Sequence, residues 1–186
     1  MAASRLALLL AGPLAALAGC ASPQALLPRF EATLDRQNSA TAALGEWCAA
    51  NAIATPPTIV ARPVRDNPAP EPADARALLA AAPDEALGYR HVRLMCGDAV
   101  LSEAHNWYFR ARLTDAMNQT LDTSETPFGR AVADLHFTRQ RLSETRGASA
   151  DCPDGTILSH RALLSDADGR AFSLVVECYT AANLAD

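Results

Sequence analysis

Glu177 stands in the run Ser173 to Tyr179, among apolar and β-branched neighbours. A lone carboxylate there is costly unless a cation, a donor or a ligand meets it, so it is the first candidate for chemistry. His91 and Arg93 lie in a second extended run, Tyr89 to Cys96. Strand side chains alternate, so His91, Arg93 and Met95 share one face while Arg90, Val92 and Leu94 share the other. The five cysteines are Cys20, Cys48, Cys96, Cys152 and Cys178. With Cys20 set aside, an even number remains, which suits disulfides in an oxidising compartment. Three pairings are open; Cys48 with Cys96 and Cys152 with Cys178 is favoured, because the second pair flanks the last hairpin. No metal is expected. There is no Cys-x-x-Cys, and His91, His105, His136 and His160 show no paired ligand spacing. Asp166-Ala167-Asp168-Gly169 lacks the distal ligands of a calcium loop and reads as a hairpin turn.

These residues need elements to hold them. Leu27 to Leu34 has the spacing of a short helix. Asn38 to Thr41 offers N-caps for a helix over Ala42 to Ala52, with Leu44, Trp47 and Cys48 on its core-facing stripe. Thr58 to Val64 alternates as a strand. Asp74 caps a brief helix that Pro83 ends. Gly88 to Cys96 and Ala99 to Leu113 form a hairpin through Gly97-Asp98, a tight-turn pair. Thr114 caps a helix through Leu121. Pro127 keeps Thr126 out of the helical region, and Phe128 to Asp134 is a helical turn. Leu135 to Thr145 reads as a strand, with Leu135, Phe137 and Leu142 as its apolar content and Arg139 and Arg141 assigned to the other phase. Thr156 to Leu164 and Ala171 to Tyr179 form the last hairpin. The class is α+β: a single antiparallel β-sheet with helices packed on one face.

The chain has 186 residues and a net charge of -5. One domain with a real core fits that length, and nothing suggests a nucleic-acid surface. Arg5, the apolar run Leu6 to Leu17 and Leu17-Ala18-Gly19-Cys20 read as a signal peptide whose end resembles a bacterial lipobox. Residues 1-19 are then a lipoprotein signal peptide, 20-27 a tether and 28-186 the domain. Lipid on Cys20 would anchor the protein to a membrane, on the periplasmic side of the envelope and at the outer membrane, since Ala21 follows the cysteine.

Several short motifs together resemble chorismate pyruvate-lyase. They are Asn38-Ser39-Ala40-Thr41, the Met95-Cys96 strand end, Thr126-Pro127-Phe128-Gly129-Arg130 and Val175-Val176-Glu177. The resemblance covers roughly Leu34 to Tyr179. It implies an antiparallel sheet closing over a buried ligand pocket, with no cofactor. It places Glu177 at a ring hydroxyl, and Phe128 and Ala40 against the ring. The family's carboxylate-binding arginine falls on His91, so Arg93, one pleat further along, is expected to supply the cation. Arginine suits this, since its planar fork holds a carboxylate at two points; histidine does so only when protonated. Arg93, His91, Phe128, Ala40 and Glu177 are thus the expected ligand-binding residues, with Glu177 and Arg93 catalytic if chemistry occurs. Two functions follow: a non-catalytic exported domain binding a small aromatic carboxylate or a periplasmic partner, or a lyase forming 4-hydroxybenzoate and pyruvate. Export favours the first, because chorismate is made in the cytoplasm.

Overall fold

The Gly97-Asp98 turn forms as expected. Gly97 takes φ +56°, where glycine carries no Cβ penalty, and it joins β2 (Leu87–Cys96) to β3 (Ala99–Phe109). The computed structural model describes residues 23–66, 68–82, 84–147 and 149–185. Around the hairpin stand β1 (Ile59–Pro63), β4 (Thr138–Arg146), β5 (Thr156–Ser165) and β6 (Ala171–Thr180). They make one six-stranded sheet in the order β1-β2-β3-β6-β5-β4, antiparallel throughout. The expected α+β class with a single antiparallel sheet is therefore the architecture observed.

Two helices cover the β1 end of one face: α1 (Pro23–Asp35) and α2 (Ala40–Ala50). Ser39 caps α2, its Oγ accepting from the Ala42 amide at 3.4 Å. Leu44, Trp47 and Cys48 form the buried stripe of α2. Phe30 of α1 packs edge-on against Trp47 and Tyr179, with ring centroids 5.1 and 5.2 Å apart. On the same face lie α4 (Asp115–Thr123), capped by Thr114, and α5 (Phe128–Ala131). Their apolar side chains meet Tyr108, Ala162, Leu164 and Val175 of the sheet. A one-turn helix, α3 (Ala75–Leu78), lies against Phe109 and Leu174 on the other face. Disulfides join Cys48 to Cys96, tying α2 to β2, and Cys152 to Cys178, tying the β4–β5 connection to β6.

Three segments depart from expectation. Residues 23–27, assigned to a tether, begin α1, and Leu26 is buried. Strand β3 stops at Phe109; Arg110–Arg112 is a 3₁₀ turn whose carbonyls lead the chain toward the Thr114 cap. Residues Ala133–Leu135 are also 3₁₀, and His136 turns left-handed at φ +48°, so β4 begins only at Thr138. Periodicity missed this corner because Leu135 and Phe137 keep strand-like alternation across it. The signal segment and Cys20 lie outside the described residues. Among the described residues no helix is long and apolar enough to cross a membrane.

Candidate functional site

The strand registers place one row of side chains across the covered face of the sheet: Val92, Ala104, Glu177, His160 and Glu144, each opposite the next. Glu177 sits mid-row on β6, with its side chain only 8% exposed. Its Oε2 accepts from Arg139 Nη2 at 2.5 Å and from the Tyr179 hydroxyl at 3.0 Å. Arg139 comes from β4 and is 9% exposed. The same Nη2 lies 3.3 Å from His160 Nδ1. Since arginine only donates, His160 Nδ1 accepts, and its Nε2–H donates to Glu144 Oε2 at 3.0 Å. The polar chain therefore runs from buried Tyr179 through Glu177, Arg139 and His160 to half-exposed Glu144.

Electrostatics follow from this packing. Burial disfavours the charged Arg139 guanidinium, but Glu177, together with Tyr179 and Asp35, outweighs it and raises the arginine's pKa. Burial, opposed by Glu177 and helped by Arg139 and Arg141, lowers the His160 pKa below its ordinary value. Burial first, then Glu177, pushes Tyr179 well up, so it stays a hydroxyl donor.

Above this row lies a small chamber of about 40 Å³, which is room for a few waters. Phe128, Phe137, Val92 and Val175 supply apolar wall; Asn106, Arg139 and Glu177 supply the polar floor. Asn106 is 4% exposed and lines the chamber. Arg139 Nε is buried and unpartnered among the described residues. The chamber shares Asn38, Ser39, Thr41, Gly129 and Phe137 with an outer groove of about 490 Å³, which also reaches Arg130 and His136. Gly129 leaves room at the neck: a Cβ there would meet Ser39 Oγ at 2.5 Å, so the serine would have to move. The geometry provides a water-sized inner space with polar groups in its floor, one of them the unpartnered Arg139 Nε, opening toward a larger vestibule past Phe137.

The sequence-assigned residues divide between the two faces. Ala40, Phe128 and Glu177 line the chamber. His91 and Arg93 do not: they project from the opposite face of the sheet. Arg93 is 52% exposed, and its Nε donates to Glu103 Oε2 at 3.2 Å. His91 is buried there, bonded to Glu103 Oε1 at 2.7 Å and stacked on His105. Burial, then the neighbouring His91, pulls His105 down to about 4 against the charges of Glu103 and Asp151. The cation beside Glu177 is Arg139, which the sequence reading had turned away from the core. Its signal was available: Arg139 follows Phe137 by two, so both share a phase. Asn106 was not singled out, and His160 was weighed only as a metal ligand; His160 faces Glu177 because β5 and β6 pair in this register.

No protein-family model matches the chain. It is 42% identical over 175 residues to y4mC of Sinorhizobium fredii, described as an uncharacterized protein, across 84% of this chain and 74% of y4mC. Solved structures overlap it more loosely. The effector domain of PhnF from Mycobacterium smegmatis matches 66% of this chain and 81% of its own, at 9% identity and a TM-score of 0.49. A GntR-family transcriptional regulator from Enterococcus faecalis matches 66% and 94%, at 13% and 0.47. For YydK of Bacillus subtilis the values are 12% and 0.46, and this chain spans only 58% of it. A matching relative is y4mC rather than a chorismate pyruvate-lyase, which corrects the resemblance drawn from the short motifs; the solved structures that overlap the chain are regulator domains. The site agrees with the correction, since the expected carboxylate-binding pair His91 and Arg93 never reaches the chamber.

Proposed function

The chain belongs to the family of the Sinorhizobium fredii protein y4mC, and we propose that it is a binding domain for a small aromatic molecule bearing a hydroxyl or carboxyl end. One observation carries the reading: an apolar-walled chamber is lined by buried Asn106 and by Arg139, whose Nε is left without a protein partner among the described residues. Buried polar groups normally find partners, and an unpaired one costs about 1–3 kcal/mol, so groups left open toward a cavity suit a ligand. The Asn106 amide and Arg139 meet the polar end of such a molecule. Phe128 and Phe137 flank its ring, where offset or edge contacts are favoured.

The chamber as it stands is only water-sized, so a ring enters by displacing Phe137 toward the groove. Phe137 follows left-handed His136 and is half-buried, which gives it a short lever and an open side. The reading assigns no bond-making step; Glu177 is held in place by Arg139 and the Tyr179 hydroxyl. Export and lipid attachment at Cys20 are proposals on the same footing as the ligand, and neither is needed for binding.

The test is calorimetric titration of the whole chain with benzoate and 4-hydroxybenzoate as probes, beside Phe137→Ala and Asn106→Leu. Saturable heat, strengthened in Phe137→Ala and abolished in Asn106→Leu, supports the chamber as the binding site. No heat with either probe in the wild type and in Phe137→Ala ends the aromatic-acid reading.

A further inference from the structure

The opposite face of the sheet carries a polar cluster that the chamber does not use. The β2–β3 register sets His91 directly across from His105, and Arg93 across from Glu103. One nitrogen of each ring and one Glu103 oxygen lie within 4.8 Å of one another. The two rings stack with centroids 4.1 Å apart. Both histidines are more than nine-tenths buried, and His91 Nδ1 has no partner among the described residues.

We propose that His91, His105 and Glu103 form a binding site for one divalent transition-metal cation of the Zn²⁺ class. Two imidazoles and a carboxylate are a donor set Zn²⁺ accepts, with water in the fourth position. Around the ligands stands an outer layer of the kind that orients them. The Tyr89 hydroxyl meets His105 Nδ1 at 2.8 Å and accepts from the Ala69 amide at 2.9 Å. Arg93 holds the other Glu103 oxygen. Such partners fix ring orientation and ligand basicity. The cation takes the place of the proton between His91 Nε2 and Glu103, and that proton moves to the unpartnered His91 Nδ1, leaving a neutral imidazole as ligand. Donors on a tetrahedral Zn²⁺ lie roughly 3.3 Å apart, from bond lengths of about 2.0–2.2 Å. The rings close that gap by turning about χ2, a soft torsion for histidine. Access is through a surface groove that reaches His91, Glu103 and Asp66.

The decisive experiment uses the whole chain, disulfides intact and without a histidine tag, dialysed against a chelator and titrated with ZnCl₂ by calorimetry. One saturable site per chain is expected. His91→Gln and His105→Gln each weaken it by more than about tenfold, Tyr89→Phe weakens it less, and His136→Gln leaves it unchanged. If the histidine variants fail to fold, Co²⁺ decides on the wild type: visible bands of a four-coordinate ion, displaced by Zn²⁺, support the site. Zn²⁺ binding retained in a folded His91→Gln, or a wild type with neither saturable heat nor a Co²⁺ spectrum, overturns it.

Discussion

Two arginine–glutamate pairs lie on opposite faces of one sheet, and they are chemically different objects. Arg93 and Glu103 meet at 3.2 Å, with the arginine half in water. Arg139 and Glu177 meet at 2.5 Å, both almost fully enclosed. An exposed pair gains little, because water screens it and two long side chains lose freedom. A buried pair has lost its hydration, so each charge depends on the other. The contrast separates surface from site more reliably than residue type does. Both pairs join an arginine to a strand carboxylate, yet only the enclosed pair borders the chamber, between Asn106 and Phe137.

The sharpest way to break the comparison is to remove one cation at a time. Arg139→Met leaves Glu177 buried and uncompensated and should cost about 3–5 kcal/mol. Arg93→Met should cost no more than about 1 kcal/mol. Urea unfolding of both measures the gap, and equal losses would dissolve the distinction. Arg139→Met combined with Glu177→Leu should recover most of the loss, since an apolar pair needs no counter-charge.

Next in size is the staple beside the exposed pair's face. Cys152 and Cys178 are 26 residues apart in sequence, and replacing both by alanine should cost about 3 kcal/mol through restored unfolded-chain entropy. Thermal unfolding should report that loss while the chamber's ligand response persists. Tyr179→Phe removes a donor to Glu177 and should cost about 2 kcal/mol, as bonds to charged groups do; denaturant midpoints measure it. Gly129→Ala should lose about 1 kcal/mol, because the new methyl displaces Ser39 from the α2 cap. It should also narrow the neck and slow probe entry in stopped-flow binding.

The smallest effect is a pH dependence. His160 is held below its unfolded value of 6.5 by burial, with Glu177 and Glu144 opposing and Arg139 and Arg141 assisting. A depressed histidine favours the folded state fully above the unfolded value, and that contribution is lost as pH falls toward the folded one. Melting temperature should therefore fall between pH 7 and 5, and His160→Gln should flatten part of that slope. Part remains, because His105 is also lowered, to about 4.

Local rules placed most of the elements. The Gly97-Asp98 turn, the Ser39 and Thr114 caps and the β-branched runs reported themselves through propensities that act within a few residues. The corner at Ala133–His136 was illegible, since its alternation mimicked a strand and its left-handed residue is not glycine. The need of Glu177 for a partner was legible from one carboxylate among apolar neighbours. Which partner was not, because β4 and β6 are joined only through β5 and lie far apart in sequence.

The sequence by itself determined the class, the turn and cap chemistry, the cysteine count and the demand for a buried countercharge. These depend on periodicity and on single-residue energetics. Tertiary structure alone decided that Arg139 rather than Arg93 answers Glu177, that Asn106 faces the chamber, and that His91 meets His105 across the other face. Those outcomes rest on strand order and register, where a shift of one residue sends every side chain to the opposite side of the sheet.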